Sequence, residues 1–291
     1  MNSSSAASGK GATDENFPVA SFLVPRRHRE VIMAFYRFAR AADDIADHPH
    51  LPAADRLGML DRMEQSLTTS DEALVDSEAA PLRASLAQRG MTADHPIALL
   101  SAFRQDVTQQ RYDSWAALMD YCARSAAPVG RFVLDVHAED RGLWPASDAL
   151  CAALQVINHI QDCRDDLLVL DRCYVPGEMM ESAGATIDMV TANRLTPQLR
   201  ACIDAMLDQT SALLDRSATF AIKVKSTGLA LEVAVIHSLA RRLLAMLRRQ
   251  DMLATRVSMG KPVALGVALA AIPPAMFGRL GRFGRSAPYG T

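Results

Sequence analysis

Apolar residues in this chain recur three and four positions apart along most of its length, and no convincing period-two alternation persists. A segment patterned in this way buries one stripe of a helix, so the expected fold class is all-α, a single-domain helical bundle. The composition agrees: aromatics are only 5%, while Ala, Leu and Met are common and β-branched runs are scarce. Helices are expected at about 25–47, 53–69, 79–90, 96–110, 114–123, 126–138, 147–170, 196–221 and 226–251. Breakers such as Gly90, Pro96, Gly142 with Pro145, Pro176 with Gly177, Gly184, Pro197 and Gly228 fall between them. No linker divides the 291 residues, so they are expected to form one body.

Charge narrows the partners. The chain has 31 basic and 33 acidic residues, a net charge of −2, and no basic stripe to attract a polyanion, so nucleic acid is not expected as a partner. Its five cysteines, Cys122, Cys151, Cys163, Cys173 and Cys202, include no C-x-x-C pair and sit in apolar or helical stretches. Reduced thiols in a cytoplasmic protein are the expectation. Residues 1–15 are rich in Ser, Ala and Gly and lack the apolar core of a signal peptide, so they are read as a flexible tail. Residues 263–277 are apolar but too short to span a bilayer, and Pro273-Pro274 falls within them. The Gly- and Arg-rich residues 278–291 are expected to be a solvated tail. This end of the chain is compatible with peripheral contact with an inner membrane, though not with a span.

Two stretches carry the chemistry. In F-Y-R-F-A-R-A-A-D-D-I-A-D, Tyr36, Arg40, Asp43 and Asp47 fall on one helical stripe, and Phe35, Phe38, Ala42 and Ile45 on another. In Q-V-I-N-H-I-Q-D-C-R-D-D, Gln155, Asn158, Asp162 and Asp166 share a stripe, and Ala153, Ile157 and Ile160 a second. Like charges four apart weaken an isolated helix by a few tenths of a kcal/mol. One such pair is most simply a solvated face, but two pairs, both on strongly apolar helices, point to a shared metal site. Carboxylates without a Cys or His pattern suit a hard cation such as Mg²⁺, completed by water and substrate phosphate, rather than zinc. His48 and His50 lack partners at ligand spacing and are assigned no role. Two acidic helices facing across a cavity would clamp a diphosphate as it leaves and stabilise its developing charge. Aromatic faces from Phe17, Phe35, Tyr36 or Phe132 could steady the cation left behind, although each such ring is more often plain core.

With these pieces in view, the sequence resembles the squalene/phytoene synthases over about 15–261. The fragments that carry the resemblance are E-N-F-P-V-A-S-F-L-V-P, the two acidic stretches, A-F-R-Q-D-V-T-Q-Q-R-Y, Y-C-A-R-S-A-A-P-V-G-R and D-R-C-Y-V-P. The resemblance implies an isoprenoid-synthase-type bundle around a central cavity, with a catalytic domain over 16–261 and a tail over 262–291. It implies Asp43, Asp44, Asp47, Asp162 and Asp166 as Mg²⁺ ligands. Gln155 and Asn158 would stand beside them, and Arg40 and Arg172 would contact the substrate diphosphate. Tyr36, Tyr121 and Tyr174 match aromatic positions near the reacting centre, where they would orient substrate or handle protons.

Within the family, E-N-F-P-V-A-S and S-A-A-P-V-G-R are most similar to a branch of bacterial hopanoid biosynthesis. That branch takes presqualene diphosphate from a sister enzyme and hydrates the rearranged cation, with no need for NADPH. Departures from the commoner pattern include Asn16-Phe17 for a Ser-Phe pair, Ala127 for a Gly, and Gln161 where an Arg often precedes the second acidic pair. Loss of that Arg removes a fixed positive charge beside the diphosphate. Two alternatives remain: an enzyme coupling two prenyl diphosphates to squalene, dehydrosqualene or phytoene, and a non-catalytic prenyl-lipid-binding or assembly protein.

Overall fold

The computed structural model describes residues 24–283, with side chains through 277. The early residues singled out above, Phe17 among them, and residues 284–291 lie outside it. Among the described residues the chain is all-helical, and its one β-type pairing is an isolated parallel bridge between Arg111 and Cys173. Nine helices match the expected ones to within a few residues: α1 (Arg26–Ala46), α2 (Ala53–Thr68), α3 (Ala80–Arg89), α4 (Asp94–Thr108), α5 (Trp115–Ser125), α6 (Ala127–Val136), α7 (Trp144–Leu170), α10 (Pro197–Arg216) and α12 (Thr227–Leu247). Four were not foreseen: the short α8 (Gly177–Ala183), α9 (Ile187–Val190) and α11 (Phe220–Lys223), and the long α13 (Lys261–Phe283). The last corrects the expectation of a tail from 278 onward, because the helix runs on through Pro273 and Pro274 to Phe283.

Local chemistry sets the ends of these helices. Ser114, Thr196 and Ser226 accept hydrogen bonds from the backbone N–H three residues on, at the starts of α5, α10 and α12. Pro197 follows the Thr196 cap, where its fixed φ and missing N–H suit a first turn. Gly90 closes α3 with a φ of 61°. The end of α7 is the most consequential for the site: Asp171, a non-glycine residue, takes the left-handed conformation with φ 52°. The Asp171 and Arg172 N–H groups both reach back to the Asp166 carbonyl, the second at 3.1 Å, and close the end of the helix.

The helices bury two apolar clusters. One surrounds Phe35, Phe38, Leu60, Leu82, Leu100 and Phe132 in the N-terminal half. The other surrounds Val156, Ile157, Ile160, Leu199, Ile203 and Leu243. Helix α6 belongs to both, with Phe132 and Val136 in the first and Leu134 in the second. Phe35 and Phe132 stack at 4.1 Å and are almost wholly buried, so these two rings are core. Helices α1 and α7 share little direct packing. All five cysteines are unpaired.

Candidate active site

The first acidic stripe occupies the last turns of α1. There Phe35, Phe38, Ala42 and Ala46 are buried, while Tyr36, Arg40, Asp43, Asp44 and Asp47 are half-buried. Arg40 forks across two carboxylates, 2.8 Å from Asp43 Oδ2 and 2.8 Å from Asp44 Oδ1. The Asp43 carboxyl is pushed up to about 7, first by the protein around it and then by the like charge of Asp47, with Arg40 opposing. Its side chain keeps 36% of its surface, so solvent screens part of this strain. A cluster of oxygen donors that repel one another is the environment in which a hard cation is stabilising.

The second stripe repeats the pattern on α7. Val156, Ile157, Ile160 and Cys163 are buried, and Gln155, Asn158, Asp162 and Asp166 are half-buried. Arg172, just after the left-handed residue Asp171 that ends α7, reaches the end of the first stripe. Its Nη1 lies 2.7 Å from Asp47 Oδ1, and its other nitrogens donate to the backbone carbonyls of Asp106 and Ala46 at 3.0 and 3.3 Å. Burial works against the Arg172 charge, but Asp47 and Asp106 outweigh it and hold the guanidinium charged more firmly than usual.

Beneath Arg172 lies a buried group that the sequence reading missed. Asp106, at the end of α4, accepts hydrogen bonds from Tyr121 at 2.8 Å and from Tyr174 at 3.0 Å. Burial pushes its carboxyl up to about 6 against the pull of Arg172 and the two hydroxyls. Burial first raises both tyrosine pKa values well above the ordinary 10, so these rings stay neutral phenols. With both O–H groups donated to Asp106, their oxygens are left as acceptors. Tyr112 stacks on Tyr174 at 5.4 Å from one side, and His159 stacks at 3.6 Å. His159 is held neutral, its pKa lowered to about 3, chiefly by burial and then by Arg172. This aromatic wall is assembled by the Arg111–Cys173 bridge, in which Cys173 N–H donates to Gln110 and Gly177 N–H to Tyr112.

A second missed residue is Arg256, which lies 3.0 Å from Asp162 Oδ1 although 94 positions away in the chain. The buried Gln161 amide donates to the carbonyl of Val257 and anchors the segment that carries it. The sequence reading treated Gln161 as a lost positive charge; the structure brings a positive charge to Asp162 from elsewhere. Neither residue carried a local signal, since Arg256 is one arginine in an ordinary loop and Asp106 one aspartate on a helix.

The structure thus joins Arg40 to Asp43 and Asp44, Arg172 to Asp47, and Tyr121 to Tyr174. Asp162 is held by Arg256, and Tyr36, Gln155, Asn158 and Asp166 lie half-buried along the same stripes. Among the described residues, no three His, Cys, Asp or Glu side chains converge as a closed metal-ligand set. Each of Asp43, Asp44, Asp47 and Asp162 is instead paired with an arginine: Arg40, Arg172 or Arg256. The donor set still fits Mg²⁺ in kind, being all oxygen, partly open and crowded with negative charge.

Residues 11–262 match the family model described as squalene/phytoene synthase. The chain is 46% identical over 279 residues to a hydroxysqualene synthase of Zymomonas mobilis, covering 95% of this chain and 93% of that one. It is 45% identical to a hydroxysqualene synthase of Rhodopseudomonas palustris, over 90% and 88% of the two chains. Among solved structures it resembles the squalene synthase HpnC of Alicyclobacillus acidocaldarius. That likeness has a TM-score of 0.71 and 35% identity over 80% of this chain and 87% of that one.

Proposed function

The chain belongs to the squalene/phytoene synthase family, and on that premise we propose that it ionises presqualene diphosphate and captures the rearranged cation with water to give hydroxysqualene. The observation that carries this reading is the similarity to hydroxysqualene synthases along nearly the whole chain. The paired acidic stripes and their arginines support it chemically.

In this reading the activity resides in 16–261. Asp43, Asp44 and Asp47 on one side and Asp162 and Asp166 on the other would hold Mg²⁺, with Gln155 and Asn158 beside them. The bound ions would supply positive charge to the departing diphosphate. Arg40 and Arg172 add fixed charge there, and we add Arg256 to that set. The carbon–oxygen bond to the diphosphate breaks, and both electrons leave with the diphosphate. The cyclopropylcarbinyl cation then rearranges, water adds its oxygen, and one proton is lost. No electrons are gained or lost overall, so the reaction needs no NADPH.

Tyr121 and Tyr174 would stand beside the reacting centre, where their acceptor oxygens suit an incoming water O–H. Asp106 fixes where those hydroxyls point. Tyr36, on the stripe of Arg40, would orient the substrate. The substrate would come from a sister enzyme that condenses two prenyl diphosphates. The oily substrate and product favour a cytoplasmic enzyme in peripheral contact with a membrane.

The test is to supply purified protein with Mg²⁺ and either presqualene diphosphate or farnesyl diphosphate, without NADPH, and to identify the lipid formed. Hydroxysqualene from presqualene diphosphate alone is the expected result. The second reading, coupling of two prenyl diphosphates, is favoured by the likeness to the Alicyclobacillus acidocaldarius protein, a squalene synthase. Turnover of farnesyl diphosphate alone would establish that reading in place of ours.

A further inference from the structure

Helix α13 has an inner face that packing explains and an outer face that it does not. Ala264, Val267, Ala268 and Ala271 pack with Val235 and Leu239 of α12. Away from that contact, Val263, Leu265, Leu269, Met276 and Phe277 are exposed, from 40% at Met276 to 74% at Phe277. A single exposed leucine needs no explanation, but five large apolar side chains along one helix do. From Lys261 to Arg279 the sequence contains no charged residue between the two. A helix lying on a water-facing surface carries charge opposite its apolar stripe, and α13 does not.

Charge indicates what covers this face. After Asp251 the chain carries no Asp or Glu, and Lys261 on one side and Arg279, Arg282 and Arg285 on the other bracket the apolar stretch with positive charge in the sequence. Two copies of the chain meeting through α13 would bring these like charges together, whereas acidic lipid headgroups would neutralise them. No described helix is long and apolar enough to cross a membrane, so a docked α13 would lie along a bilayer.

We infer that α13 docks the protein on an anionic bilayer, with its outer apolar face among the acyl chains and the net positive charge of this part of the sequence drawn to the headgroups. The 23-residue helix offers a contact about 35 Å long. This surface deepens the proposed function by giving an enzyme of oily substrates a place to exchange them, but the binding itself requires neither substrate nor turnover.

Flotation of the full-length protein with vesicles, in the absence of substrate, tests the inference. The vesicles are pure phosphatidylcholine or phosphatidylcholine with about a third phosphatidylglycerol, close to the acidic content at which surface charge attracts basic segments. The wild type is expected to float with the anionic vesicles at least ~10-fold more than with the neutral ones, and less as salt rises. The Leu269→Glu, Phe277→Glu double variant is expected to lose at least ~10-fold of that binding while keeping its turnover of detergent-dispersed substrate. Amide hydrogen exchange of the wild type gives a reading independent of any variant, with slowing expected in 261–283 on addition of anionic vesicles.

Wild-type protein that stays at the bottom of the gradient with anionic vesicles would overturn the inference. So would slowed exchange elsewhere but not in α13, or concentration-dependent dimerisation that the double variant abolishes without any vesicle binding by the wild type. Failure here with intact hydroxysqualene formation would remove the docking surface alone. Vesicle binding without turnover would remove the catalytic reading alone.

Discussion

Arg172 stands 2.7 Å from Asp47 and donates to the main chain of α4 at Asp106, tying the end of the first acidic helix to the strap that follows the second. It is buried, and the negative charges of Asp47 and Asp106 both act on it. Its removal would leave two carboxylates near one another without their shared counter-charge. Arg172→Ala is expected to reduce turnover at least ~10²-fold, the scale of losing one charge stabiliser. Arg172→Lys keeps the charge but loses the fork that reaches three partners, and should recover only a fraction of the loss. Steady-state kinetics on both variants checks this, and full activity in Arg172→Lys would show that the fork is immaterial.

Gln161 and Arg256 should behave as one unit. Gln161→Leu leaves the Val257 carbonyl without its buried donor, at a cost of about 1–3 kcal/mol, and frees the loop that presents Arg256 to Asp162. Activity loss in the Gln161→Leu, Arg256→Ala double variant is expected to match that of Arg256→Ala alone. Multiplicative losses would mean that the two side chains act separately.

Gly130 of α6 faces Ser147 and Cys151 of α7 at close range. A Cβ there would lie 2.4 Å from Ser147 Oγ and 2.7 Å from Cys151 Sγ. Alanine normally favours a helix over glycine, yet here the overlap should win, and Gly130→Ala is expected to destabilise the fold by about 1–3 kcal/mol. Urea unfolding measures this, and adding Ser147→Ala should restore part of the loss.

His159 predicts a pH dependence of stability. Its folded pKa is lowered to about 3, whereas the unfolded chain titrates near the ordinary 6.5. Between those values the unfolded state binds one more proton, so this residue makes stability fall as pH falls from about 6.5. Asp106, raised to about 6, acts in the opposite sense over part of the window and is present in both proteins compared. His159→Gln should therefore lose less stability than the wild type between pH 7.5 and 5. Unfolding midpoints that fall in parallel would refute the assignment.

How much of this was legible in the sequence depends on how local each signal is. The nine long helices and the two acidic stripes were readable because a period of 3.6 and a four-residue spacing are written in consecutive residues. Helix α13 is less legible, since Pro273 and Pro274 are poor helix residues in isolation, yet α12 gives the helix a partner to pack on. Asp106 and Arg256 could not be found this way. Their importance comes from Tyr121, Tyr174 and Asp162, which are brought to them by the turn at Asp171 and the loop after α12. Such long-range pairing leaves no trace in the spacing of a single sequence.

The central claim is that the carboxylates of α1 and α7 act together on one diphosphate. The most direct test is turnover of presqualene diphosphate, over a Mg²⁺ titration, by wild type, Asp43→Asn and Asp162→Asn, each with its folded state checked by thermal unfolding. Each single change is expected to lower turnover at least ~10²-fold and raise the Mg²⁺ needed for half-maximal rate. Near-normal rates in both variants, at unchanged Mg²⁺ dependence, would contradict the account.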